Sequence, residues 1–153
     1  MKLFKYIFVF LIINFSALAI GTWLMNDGPQ TDWYINLNQA PWTPPGWVFG
    51  AVWTTIMICF SVYMGYLYKI LPAKNILLLF TVQFILNVLW NYVFFNQHMV
   101  GLGLTFILML TLIIGVFMFS HYKTLKTKNL LIAPYFIWLC IATSLNAYIL
   151  FYN

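Results

Sequence analysis

Apolar residues run almost without interruption along this chain, and its few polar clusters cut it into five stretches, at about 3–25, 46–68, 76–97, 99–120 and 130–151. Each holds the roughly 20 apolar residues a helix needs to cross the hydrocarbon of a bilayer. The breaks have local causes. Asn26-Asp27-Gly28-Pro29 ends the first stretch, and Pro44-Pro45 stands where the second helix begins, since proline is tolerated in a first turn. Leu71-Pro72-Ala73-Lys74-Asn75 separates the second stretch from the third. Asn96-Gln97-His98 is the one polar break before the fourth, which predicts a tight connection. His121 to Asn129 forms the last loop, with Pro134 in the first turns of the fifth helix. Only 26–45 is a long loop. The pattern predicts an all-α fold, an integral membrane bundle of five transmembrane helices forming one domain over 1–153.

Composition agrees, with 64% hydrophobic and 6% charged residues and a mean hydropathy of +0.92, values of a chain that avoids water. Charge then orients the bundle. Five spans place Lys2, Lys5, Lys69, Lys74, Lys123, Lys126 and Lys128 on one side, and Asp27 and Asp32, the only acids, on the other. By the positive-inside rule the N-terminus is expected in the cytoplasm and the C-terminus on the opposite side. The net charge of +5 therefore reads as a topology signal and an attraction to anionic membrane lipid, with no nucleic acid implied. Lys2, Lys5 and the small residues Ala17-Leu18-Ala19 also fit a cleaved leader. The apolar run, however, continues through Ile20, Trp23, Leu24 and Met25, too long for a leader core, so a retained helix is expected.

Machinery for acid–base or metal chemistry is sparse. Cys59 and Cys140 sit inside apolar spans, and His98 and His121 stand apart, without carboxylates or metal-ligand spacing. No glycine-rich phosphate loop, carboxylate pair or intramembrane charge is present in the sequence. Neither metal nor cofactor is expected, and a pump or hydrolase is hard to build from such residues.

What the spans carry instead is neutral and aromatic. Asn87, Trp90 and Phe94 recur at i, i+3 and i+7 on the third helix, with Asn91 beside them. Trp138, Ala142 and Asn146 share a face of the fifth, and Phe49, Trp53 and Met57 a face of the second. If these stripes converge, they form a pocket of indole rings, a thioether and amides, with Ala142 leaving room. They are equally compatible with ordinary packing in which asparagines bond neighbouring helices. At the mouth lies the segment 33–53, where Trp33, Trp42, Trp47 and Trp53 crowd around Pro41, Pro44 and Pro45. Such a segment suits a flat apolar ligand, and also an interfacial aromatic belt. Gly46-x-x-x-Gly50 offers a close-approach surface, for a homodimer or for the loop folding down.

Three separated motifs resemble the translocator protein family, the tryptophan-rich sensory proteins once called peripheral benzodiazepine receptors. The first is Trp33-Tyr34, Pro41-Trp42-Thr43-Pro44-Pro45, Trp47, Gly50 and Val52-Trp53. The second is Gln83-Phe84-Ile85-Leu86-Asn87 with Trp90 and Phe94-Phe95, and the third is Pro134-Tyr135 with Trp138 and Ala142-Thr143-Ser144-Leu145-Asn146. The resemblance implies a five-helix bundle, commonly dimeric, whose pocket binds porphyrins and other flat aromatic ligands. Position by position it implies Tyr34, Trp42, Pro44, Trp53, Asn87, Trp90, Trp138 and Ala142 as pocket residues, to which the stripe on the second helix adds Phe49. It further implies light-dependent porphyrin breakdown through Trp53 and Trp138 in some members.

Two departures shape the expectations. Asn91-Tyr92 replaces the paired prolines that follow the third-helix tryptophan in many relatives, which suggests a straighter helix here. The sterol pattern near the C-terminus lacks its basic residue after Leu145 and Tyr148, so sterol binding is not expected. The sequence thus points to a membrane receptor or carrier for porphyrins and related tetrapyrroles. A light- and oxygen-dependent porphyrin-degrading enzyme and a ligand-responsive regulatory scaffold are the alternatives.

Overall fold

The computed structural model describes Met1–Asn153 and is helical, with no strand. Five long helices, α1 (Lys2–Leu24), α3 (Gly46–Ile70), α4 (Lys74–Asn91), α5 (Val100–Ser120) and α7 (Ala133–Tyr152), are long and apolar enough to span a membrane. Two short ones, α2 (Asp32–Ile35) and α6 (Tyr122–Leu125), lie in the first and last loops. Each long helix packs against two others, so the ring closes in the order α1, α3, α7, α5, α4. A closed ring of five encloses a centre, and what fills that centre differs between its two ends.

At the lysine end the centre is solid. Phe60 of α3 stacks on Phe80 of α4 at 6.0 Å and meets Phe117 of α5 and Tyr135 of α7 edge-on, at 6.0 and 5.2 Å. The phenols buried here are all engaged, Tyr135 donating to Gln83 Oε1 at 3.1 Å and Tyr63 to the Phe117 carbonyl at 2.8 Å. With no water in the bilayer core to satisfy a polar group, that pairing is what permits them there. The opposite end holds the first loop and the C-terminal residue. Asn153 Oδ1 accepts from the Asn38 amide at 2.8 Å, while its Nδ2 donates to the Asn38 carbonyl at 3.2 Å.

Close helix approach relies on glycines other than those expected. A Cβ on Gly65 of α3 would collide with the Ile7 side chain and lie 3.2 Å from the Ile7 backbone, so the α1–α3 contact requires glycine there. Gly103 of α5 likewise sits 3.1 Å from the Phe94 side chain. Above Gly46 and Gly50 there is open space, so neither the loop nor another helix of this chain folds onto them.

The expectation of a straighter third span is also revised. After Asn91 the helix widens into a π turn over Tyr92–Asn96, in which the Gln97 amide bonds the Tyr92 carbonyl at 3.0 Å. Widening a helix brings successive side chains round more slowly. Val93, Phe94 and Phe95 are consequently buried in succession. Asn96 Nδ2 then donates to the free Leu24 carbonyl at the end of α1, at 3.0 Å, which fixes the turn against its neighbour. The last loop, too, is more ordered than its polarity suggested. α6 leads into a 3-10 turn at Lys126–Ile132, where Asn129 Nδ2 donates to the Met118 carbonyl at 3.0 Å, so the fifth span begins at Ala133 and not at 130.

Candidate functional site

The first loop is a fitted lid. Three successive residues with positive φ, Asn26, Asp27 and Gly28, reverse the chain after α1. Thr31 then caps α2: its Oγ1 accepts from the Tyr34 amide at 3.3 Å and donates to the Gly28 carbonyl at 2.8 Å. This short helix turns Tyr34 down onto the bundle, leaving it 6% exposed. Burial raises the Tyr34 phenol above its ordinary pKa, so its O–H stays a neutral donor at physiological pH. Beside it Trp33 stacks on His98 in the α4–α5 turn, ring to ring at 4.0 Å. At the other end of the loop Trp42 donates its indole N–H to Ser144 Oγ at 3.1 Å and meets Tyr148 edge-on at 5.6 Å. The lid is therefore fastened to the α4–α5 turn at one side and to α7 at the other.

Beneath the lid the three stripes meet. Phe49 of α3, Trp90 of α4, Phe94 of the π turn that follows it, and Ala142 and Asn146 of α7 line one small cavity, with Tyr34 above them. Trp90 Nε1 donates to Asn146 Oδ1 at 3.2 Å, tying α4 to α7 across this space. A second cavity lies toward α1, between Trp53 and Asn87 on one side and Ala17 and Thr22 on the other. Trp138 stands against Phe49, edge to face at 5.5 Å, and Trp53 against Tyr135 at 5.9 Å, where the aromatic plug begins.

Size decides what this arrangement can hold. The two interior cavities measure about 20 and 90 Å3, far below the roughly 300–1,000 Å3 of a pocket that engulfs a small molecule. Two larger spaces of about 540 and 430 Å3 lie outside them, both walled by Pro29, Gly46 and Phe49. Phe49 lines all four, a half-buried ring between vestibule and interior. The interior also holds donors without acceptors: Trp138 Nε1 and Asn146 Nδ2 are buried and unpaired. Each such group costs about 1–3 kcal/mol while unsatisfied, so the site is suited to a flat apolar body that brings its own acceptors.

Of the residues singled out from sequence, Tyr34, Phe49, Trp53, Asn87, Trp90 and Ala142 wall the interior spaces. Trp138 lies one ring behind Phe49, and Pro44 lines the vestibule. Trp42 does not join them, because its N–H is taken by Ser144 and its ring, 54% exposed, lies outside on α7. Sequence reasoning missed Phe95, which the π turn carries inward, and the α1 wall of Ala17, Thr22 and Met25. α1 is apolar on nearly every side, so it offers no stripe to read.

The TspO/MBR family model matches residues 8–152. The tryptophan-rich sensory protein of Cereibacter sphaeroides is 30% identical over 75% of this chain and 73% of its own. The tryptophan-rich protein TspO of Chlorobaculum tepidum is 31% identical over 82% of each chain, and the human translocator protein 32% identical over 78% of this chain and 73% of its own. A five-span bundle with a tryptophan-walled interior beneath its first loop, matched along nearly its whole length, belongs to the TspO/MBR family of membrane proteins.

Proposed function

We propose that this protein is a membrane receptor for porphyrins and related flat tetrapyrroles, which it takes up from the lid side. The observation that carries this reading is the convergence of the stripes from α3, α4 and α7 on a space lined by Asn146, whose Nδ2 is a buried donor without an acceptor, with the equally unpaired Trp138 Nε1 on the same helix, one ring behind Phe49. A flat macrocycle can lie between indole and phenyl faces, while its polar edge groups accept from Asn146 Nδ2 and Trp138 Nε1. The Phe60 plug closes the lysine end, so ligand enters and leaves by the same mouth. This favours reception over passage through the bundle. Titration of the purified chain with protoporphyrin IX, haem and a bilin, followed by tryptophan fluorescence, tests it. Saturable one-to-one quenching is the expected result; quenching that grows linearly, as in protein-free micelles loaded with a soluble indole, overturns it.

Orientation belongs to the same reading, since it fixes which compartment the mouth faces. The N-terminus and all lysines face the cytoplasm, and the lid, with Asp27, Asp32 and Asn153, faces the opposite side. A cysteine at Asp32 is expected to react with a membrane-impermeant maleimide on intact cells, and one at Lys126 only after permeabilisation. The reverse pattern contradicts the orientation.

A further inference from the structure

A second concavity lies at the opposite end of the molecule from the lid, on the outer surface of the ring. Phe10 of α1 meets Phe80 of α4 edge-on at 5.0 Å and floors a groove of about 550 Å3 whose walls are almost wholly apolar. Val9 and Ile13 lie on the α1 side and Leu77 and Phe84 on the α4 side. Tyr68 of α3 forms part of the wall where its ring meets Tyr6 edge-on at 5.2 Å. Thr81 adds no free donor, since its hydroxyl bonds back to the Leu77 carbonyl at 2.8 Å. From Lys5 to Ile13 the groove runs about 12 Å along α1, at 1.5 Å per residue.

Its chemistry is that of an amphiphile with an anionic head. Lys5 lines the groove, and Lys2 stands one turn beyond it on the same face of α1. Lys74 precedes Leu77 by one turn on the facing α4, and Lys69 follows Tyr68. Both acids of the chain, Asp27 and Asp32, lie at the other end of the bundle. A cationic rim above an apolar trough facing the bilayer matches a phospholipid in shape and in charge. A second copy of the chain offers no counter-charge: side by side in one membrane, a two-fold interface sets the same patch against itself and brings two lysine rims to the same level.

We propose that this groove is a binding site for an anionic phospholipid of the lysine-side leaflet, with one acyl chain between α1 and α4 and its phosphate held by Lys5 and Lys74. The site is separate from the space beneath the lid and does not depend on what binds there. Its consequence is local: the lipid covers the outer side of the seam that Phe10 and Phe80 already close between two neighbours in the ring.

The test is native mass spectrometry of the full chain with phosphatidylglycerol and with phosphatidylcholine of the same acyl chains. The expected result is one phosphatidylglycerol retained per chain, well above phosphatidylcholine. Lys5→Gln and Lys74→Gln should each lower phosphatidylglycerol retention about fivefold, as loss of one lysine near an anionic lipid implies, and leave phosphatidylcholine unchanged. Val9→Trp, which fills the trough, should lower both. A phosphatidylglycerol carrying a mid-chain diazirine tests the wild-type chain directly, and its adducts should concentrate on Val9–Ile13 and Leu77–Phe84. Equal retention of the two lipids by the wild type overturns the proposal. So do adducts spread evenly over the outer faces of α5 and α7, and groove adducts that disappear as the chain dimerises, which would assign the trough to a second copy.

Discussion

Truncating Trp53 or Trp138 to alanine is expected to weaken tetrapyrrole binding roughly 5–150-fold, the equivalent of losing one aromatic stacking partner at about 1–3 kcal/mol. Both rings are nearly buried: Trp53 of α3 walls the cavity toward α1, and Trp138 of α7 lies directly behind the Phe49 ring. Trp53→Phe and Trp138→Phe keep a flat face and should retain most of the affinity. The two phenylalanine variants separate a receptor from a light-driven degrading enzyme. Indole is far easier to oxidise than phenyl, so if the bound porphyrin is broken down under light and dioxygen, bleaching should cease in these variants while binding survives. Trp23, 79% exposed at the end of α1, serves as the control. Titration and bleaching, run in parallel in air and under nitrogen, check both. Wild-type affinity and bleaching in the Trp53 and Trp138 variants, with losses in Trp23→Phe, would remove these residues from the site.

Phe49→Ala is the second substitution with a large expected effect, and it acts in the opposite direction on rate. The Phe49 ring stands where the vestibule meets both interior cavities. Interior spaces of about 20 and 90 Å3 admit no macrocycle unless this ring swings away, so the closed bundle binds only through an open fraction. If that fraction is on the order of 1–10%, the apparent affinity falls short of the intrinsic one by about 10–100-fold. Removing the ring lifts this restriction. Association measured by stopped-flow quenching should therefore accelerate about tenfold or more, and dissociation should accelerate as well, because one stacking face is gone. Slower association in Phe49→Ala would show that the ring recruits ligand instead of excluding it.

Much of this was legible in the sequence because a bilayer imposes few solutions. Runs of about 20 apolar residues have to be helices, since only helices and closed barrels satisfy every backbone group in lipid. The boundaries at Pro29, Pro45 and Pro72 followed from proline and glycine chemistry, and the structure ends or begins helices within a few residues of each. The three stripes were legible for a related reason: Asn87, Asn146 and the indoles are polar enough to be placed inward while their neighbours face lipid. What the sequence did not disclose came from features without a residue signature. The π turn at Tyr92–Asn96 shifts Phe95 inward by changing the helical period, and no single residue type announces it. Trp42 looked like a pocket ring because its neighbours are, yet a single hydrogen bond to Ser144 holds it outside. Gly46 and Gly50 matched a packing motif, whereas side chains of other helices crowd Gly21, Gly65 and Gly103. Spacing cannot say which glycines face a partner.

The central claim, that a tetrapyrrole occupies the space between α3, α4 and α7 beneath the lid, is tested most directly at Ala142. Its side chain is small, nearly buried and part of the interior wall. In a chain whose Cys59 and Cys140 are replaced by serine, Ala142→Cys is to be alkylated by a small neutral maleimide with and without protoporphyrin IX. Thr54→Cys, exposed on the outer face of α3, is the reference position. The structure leads to loss of labelling at Ala142→Cys in one-to-one proportion to bound porphyrin, with labelling at Thr54→Cys unchanged. Undiminished labelling at Ala142→Cys when porphyrin is saturating would place the ligand elsewhere and contradict the account.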